Sequence, residues 1–189
     1  MTELSKKLMR ERALSCRRGL NEPHAGKRLA QQLEKLSREI QCLFYASMAD
    51  EAPTREAFEL LNAKKIECYF ARTDGSQMNF YRVQSWAEIS FESRIPQAPK
   101  SSVWQASKPT LALVPGLVFN RNGDRIGFGK GFYDRFLERH PELFRVGWAF
   151  DSQIILESWP VEPHDQRMDF VCTPSARWGS PRLSIQQML

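Results

Sequence analysis

Five of the ten glycines in the chain fall between Gly116 and Gly131. Three of them alternate in the run Arg125-Ile126-Gly127-Phe128-Gly129-Lys130-Gly131-Phe132-Tyr133-Asp134. Glycine at every second position removes the side chains that would hold a ligand away from the backbone. The run leads into a helix with Phe132, Tyr133, Phe136 and Leu137 as its apolar positions, and free N–H groups at a helix N-terminus attract phosphate. Arg125 and Lys130 add positive charge. The segment matches neither the GxxxxGK[ST] phosphate loop nor the GxGxxG dinucleotide pattern. Two readings therefore stand side by side, a phosphate cradle and a flexible turn into a helix. Tyr133 serves either as ligand wall or as core on the helix's apolar face, and Asp134 can be a first-turn acid favoured by the helix dipole. Lys6 and Arg10, four positions apart, share one face of a helix, either as a paired grip on an anion or as a solvated basic face.

The elements that would position these residues follow from hydrophobic spacing. Helices are expected over residues 3–18, over 23–38 with Leu29, Leu33 and Leu36 at helical spacing, and from Pro53 through Leu61. Buried strands are expected at 40–46, 110–115, 144–150 and 170–172, with further strands at 66–70 and 78–83. Residues 93–109, with Pro96, Pro99 and Pro109, read as loop. Strands alternating with helices predict an α/β protein: a single-domain, layered α/β/α, Rossmann-like fold with a largely parallel central sheet. Ligands bind such sheets at the carboxyl ends of strands, which directs attention to the loops after Ala46 and Pro115.

Composition bounds the partners. The chain has 189 residues, 42% hydrophobic and 26% charged, with a net charge of +5. That is enough apolar content for a core without disulfides, and it argues against disorder. A positive balance suits a nucleotide, a nucleic acid or a polyanionic metabolite. No uncharged apolar run reaches the roughly 18 residues of a membrane span, and charges at Lys6, Lys7 and Arg10 precede any apolar stretch, so no secretory signal is expected. Cys16, Cys42, Cys68 and Cys172 form no CxxC pair or zinc spacing and read as reduced thiols of a cytoplasmic protein. His24, His140 and His164 show no ligand constellation and read as surface groups.

The run Val114-Pro115-Gly116-Leu117-Val118-Phe119 followed by Arg125 through Asp134 resembles the signature of the 5-formyltetrahydrofolate cyclo-ligase family. Lys6 and Arg10, Ala46 through Glu51 with Pro53-Thr54, Met78 through Tyr81, Ile95-Pro96-Gln97, His164-Asp165 and Asp169 through Pro174 match other family segments in the same order. Asn120 departs from the pattern, standing where many members have Asp. The resemblance implies one cyclo-ligase domain over residues 1–189, acting as a cytoplasmic monomer without nucleic-acid or membrane partners. It implies ATP- and magnesium-dependent cyclisation of 5-formyltetrahydrofolate to 5,10-methenyltetrahydrofolate, with ADP and phosphate released. ATP contacts are implied at Lys6, Arg10, Arg125, Gly127, Phe128, Gly129, Lys130, Gly131, Phe132 and Tyr133. Reduced-folate contacts are implied at Ala46, Glu51, Phe128, Gly129, Lys130, Gly131 and Phe132, and magnesium at Asp134 and Asp165. For Glu51 and Asp165 the residues alone leave a helix-start acid and a surface turn as alternatives. An ATP-dependent paralogue with another substrate, and a basic nucleic-acid-binding module, are the competing functions.

Overall fold

The computed structural model describes residues 6–17, 22–93 and 95–179. Its centre is a strand with both faces covered, β1 (Gln41–Phe44), every residue of which is buried. On one side β1 pairs in parallel with β2 (Glu67–Asp74), and on the other with β4 (Thr110–Val114), which is followed outward by β7 (Phe144–Trp148) and β9 (Phe170–Cys172), all parallel. Antiparallel strands close the two edges: β3 (Gln77–Arg82) against β2, and β10 (Arg177–Gly179) against β9. The sheet order is β10-β9-β7-β4-β1-β2-β3. The winding reverses between β1 and β4, so their carboxyl ends diverge and open a crevice.

Alternation along β1 splits the core into two layers. Cys42 and Phe44 pack with Leu29 of α2 (Ala25–Gln31) and with Phe58 and Leu61 of α3 (Arg55–Ala63). Leu43 faces the other way, toward Phe136 and Leu137 of α4 (Phe132–Arg139). This is the α/β/α layering that the sequence predicts.

Two features depart from the expected elements. The helix foreseen over 23–38 stops at Gln31 and continues as tight turns, in which Gln32, Leu33, Glu34 and Leu36 each bond to the carbonyl three positions back. Leu33 and Leu36 stay buried, so the apolar spacing reported burial faithfully but not helix type. A second sheet, of β5 (Val118–Asn120), β6 (Arg125–Ile126) and β8 (Ile154–Ile155), has strands too short to show a period. Met9 and Ala13 of α1 (Lys6–Arg17) pack with Leu117, Val118, Ile126 and Trp159 beside it. The expected ends of that first helix, residues 3–5 and 18, lie outside the described residues. Asn120 closes the β5–β6 turn: its Oδ1 accepts from the N–H groups of Asn122 and Asp124, and its Nδ2 donates to Asp124 Oδ2 at 2.8 Å. An Asp here would set a second carboxylate against Asp124.

At the amino ends of the strands, buried Gln41 gathers neighbours from both sides. Its Nε2 donates to Glu67 Oε2 at 2.8 Å and to the Tyr69 hydroxyl, while Oε1 accepts from Trp104 Nε1. The Gln41 amide, with help from Lys108, holds the Glu67 carboxyl well down, at about 2 against an ordinary 4.5. A depressed folded-state value gives stability that is present above the ordinary pKa and lost as pH falls toward the folded one. Glu67→Gln should therefore flatten the loss of stability between pH 4.5 and pH 2, removing about 1 kcal/mol of pH dependence after solvent screening. Urea melts across that window measure it, and parallel pH profiles for the two proteins would refute it.

Candidate active site

The crevice between β1 and β4 is the mouth of a cavity of about 510 Å3. The loop after β1 forms one wall. Thr54 Oγ1 donates to the Tyr45 carbonyl at 2.8 Å, the Tyr45 hydroxyl donates to the Ala52 carbonyl at 2.7 Å, and Trp148 Nε1 bonds the Pro53 carbonyl. These ties fix Ala46 and Glu51 on the cavity wall. Glu51 is only 8% exposed, and its Oε2 accepts from the Met48 N–H at 2.9 Å. It does not serve as a helix-start acid, because α3 begins four positions later and carries Glu56 in its first turn.

The glycine-rich loop lines the same cavity. Gly129 (φ +89°) and Gly131 (φ +64°) adopt left-handed conformations that other residues resist. Among the described residues, the N–H groups of Gly129, Lys130 and Gly131 bond to no other protein group. Arg125, at the loop's start, is not the open cation its sequence position suggests. Its side chain is 5% exposed and bonds Asp134 Oδ1 at 2.7 Å and the Pro115 carbonyl at 3.2 Å. Asp134 is thus both the first-turn acid of α4 and the partner of Arg125. Lys130 and Phe128 remain exposed.

The α1 helix supplies the third side. Lys6 and Arg10 both line the cavity, which removes the solvated-face reading. Arg10 Nε donates to the Gly127 carbonyl at 3.2 Å. Lys6 Nζ lies 2.6 Å from Glu162 Oε2 and also bonds Asp165. Burial opposes the charge on both Lys6 and Asp165. Their mutual hydrogen bond, reinforced by Glu162, still moves the Lys6 pKa up and the Asp165 pKa down.

Every residue implied above for ATP, folate or magnesium lines this one cavity. The loop readings left several neighbours without a role: Tyr45, Met48, Thr73, Met78, Gln97 and Glu162. Met78 and Gln97 were inside matched segments, but Glu162 had no sequence signal at all. Two histidines also correct the expectation of plain surface groups. His140 packs on Phe136 and Trp104, with ring centroids 4.6 and 5.1 Å away. His164 is exposed, yet its ring nitrogen shares a cluster with Glu162 and Asp165 whose ligand atoms all lie within 4.8 Å of one another. Among the described residues the buried Tyr133 hydroxyl has no hydrogen-bond partner, and burial next to the Glu51 charge pushes its pKa above the ordinary phenol value. It is a neutral donor. Cys42, Cys68 and Cys172 are free and buried, and no described helix is long and apolar enough to cross a membrane.

Comparison with known proteins finds relatives over most of the chain. A model of the 5-formyltetrahydrofolate cyclo-ligase family matches residues 2–174. The chain is 30% identical over 142 residues to the 5-formyltetrahydrofolate cyclo-ligase of Mus musculus, a match covering 67% of this chain and 70% of that one. It is 36% identical over 85 residues to the Escherichia coli protein of the same name, covering 44% of this chain and 46% of that one. The solution structure of the Aquifex aeolicus 5,10-methenyltetrahydrofolate synthetase superimposes with a TM-score of 0.78 at 24% identity, over 94% of this chain and 93% of that one. That likeness extends the shared fold to nearly the whole chain.

The two acids differ in what their loss would strand. Asp134→Ala leaves the buried Arg125 guanidinium unpaired and should cost about 3 kcal/mol of stability. Asp165→Ala leaves Lys6 with Glu162 and should cost less than about 1 kcal/mol. Urea denaturation of the ligand-free variants distinguishes them, and equal losses would show that the Arg125–Asp134 pair is not the tighter constraint.

Proposed function

Since the chain belongs to the 5-formyltetrahydrofolate cyclo-ligase family, we propose that its single domain catalyses the ATP-dependent closure of 5-formyltetrahydrofolate to 5,10-methenyltetrahydrofolate. The observation that carries this reading is the convergence of two loops on one cavity. A buried acid, Glu51, and a glycine loop that begins at Arg125 and carries Lys130 both line it. An ionised carboxylate accepts hydrogen bonds only, so Glu51 suits the amino and ring N–H groups of a pterin. The open amides of Gly129 through Gly131, with Lys130, Arg10 and Lys6, suit a triphosphate.

In the reaction the formyl oxygen attacks the γ-phosphorus and ADP departs with the bridging oxygen. N10 then adds to the activated formyl carbon and loses its proton, and inorganic phosphate leaves with the former formyl oxygen. The chain's task is positioning and charge stabilisation, as in phosphoryl transfer generally. Holding the pterin at Glu51 fixes the formyl group, and the loop amides with Lys130 meet the charge that spreads over the transferring group.

The carboxylates also fit a magnesium ion. The bonds to Asp134 fall on Oδ1 and those to Asp165 on Oδ2, so among the described residues the other oxygen of each carries no hydrogen bond. Magnesium takes one or two protein carboxylates and completes its shell with water and phosphate oxygens. When bound, it would neutralise charge on the β- and γ-phosphates. Asp134 and Asp165 would hold it while Arg125 and Lys6 keep those acids oriented.

The deciding assay follows the methenyl product spectrophotometrically with ATP and a panel of reduced folates. Turnover of 5-formyltetrahydrofolate is expected. ATP consumption with a different substrate would identify a paralogue, and salt-sensitive nucleic-acid binding without turnover would identify a binding module. Glu51→Gln mispairs a donor at the pterin and should raise the folate KM about tenfold, a cost of about 1–3 kcal/mol, with the ATP KM nearly unchanged. Equal effects on both substrates would remove Glu51 from the folate. Lys130→Ala, at an exposed position, should fold normally and lose about tenfold or more in kcat/KM for ATP. Full activity would exclude the lysine from the phosphate site.

A further inference from the structure

Lys6 stands in the first turn of α1 with its ammonium between two carboxylates. Nζ lies 2.6 Å from Glu162 Oε2 and donates as well to Asp165 Oδ2, and the lysine side chain is 13% exposed. The turn carrying both acids is tied to itself. The Glu162 N–H donates to Asp165 Oδ2 at 2.7 Å, and the Asp165 N–H donates to the Glu162 carbonyl at 2.9 Å. His164 Nε2 is 3.6 Å from the same Glu162 oxygen that Lys6 bonds. All four residues border the cavity. A phosphate reaching Lys6 therefore meets an ammonium that is already paired twice. Asp165 has a second task in the proposed reaction. Glu162 has none, and its half-exposed carboxylate engages Lys6 alone among the described lysines and arginines.

We propose that Glu162 is a positioning residue for Lys6: it holds the ammonium at the cavity wall until Lys6 exchanges that carboxylate for a phosphate oxygen of the nucleotide. The inference rests on the nucleotide reading of the site. Without a divalent cation, a nucleotide must draw Lys6 from both acids and leave two carboxylates facing its phosphates. With one, Asp165 is engaged elsewhere, and Lys6 gives up only the exposed Glu162. Nucleotide and cation binding are then coupled free energies through Asp165, and Glu162 sets the part of the cost that Lys6 meets in both conditions.

The test is calorimetric binding of ADP, in EDTA and in magnesium, by the wild type, Glu162→Gln, Lys6→Met and the double variant. Glu162→Gln should tighten metal-free ADP binding about three- to fivefold, the scale of a partly exposed ion pair. It should tighten binding in magnesium by at least as much, because there Glu162 is the one carboxylate that Lys6 still gives up. In the Lys6→Met background the glutamine should have no effect, because the carboxylate acts through the ammonium. Unchanged metal-free affinity in Glu162→Gln would overturn the proposal. So would an effect that persists without Lys6, which would reduce Glu162 to a diffuse negative field. A wild type that binds ADP in neither condition would instead refute the nucleotide reading, and this inference with it.

Discussion

The ion pair between Arg125 and Asp134 ties the two ends of the glycine loop together across nine positions. Arg125 belongs to a two-residue strand and Asp134 to the first turn of a helix, and neither element is anchored strongly by length alone. A nearly dry guanidinium needs a partner, and this requirement fixes where α4 begins relative to the small sheet. The loop between them must then close a short span. The left-handed turns at Gly129 and Gly131 let it do so while their amides stay open. Packing behind the pair is also exacting: a Cβ on Gly127 would lie 2.6 Å from the Arg125 guanidinium.

The site's electrostatics follow the same logic of pairing. The cations along the cavity are not left as a bare positive surface. Arg125 is matched by Asp134, and Lys6 by Asp165 and Glu162, while Arg10 rests on the Gly127 carbonyl. Such a cavity is close to balanced when empty, which limits the cost of burying its charges. In the proposed function it would accept an anion and a cation together by exchange of partners. The net charge of +5 says nothing of this arrangement.

The large sheet supplies the fixed frame. Its winding reversal between β1 and β4 opens the crevice, and two core layers hold those strands from both faces. The tight loop after β1, closed by Thr54, Tyr45 and Trp148, makes Glu51 a wall of the cavity instead of a surface acid.

The α/β class, the buried strands, the core positions and the convergence of two loops on one site were all legible in the sequence. Burial of apolar groups at a period of two or near 3.6 leaves a local imprint on the chain, and the glycine run with its charges pointed to a loop that lines the cavity. Short elements left no such imprint: β5, β6 and β8 hold two or three residues each, too few for any pattern to repeat. The helical reading of 23–38 failed because spacings of three and four serve tight turns as well as α-helix. Partnership was likewise hidden. Lys6 and Glu162 are 156 positions apart, and nothing in the types of two charged residues says which opposite charge each will meet. The sequence by itself determined which residues could do the chemistry, because that depends on their functional groups. Only the tertiary structure decided which of them are already paired, because ion pairing depends on distance through space and on the water that folding removes.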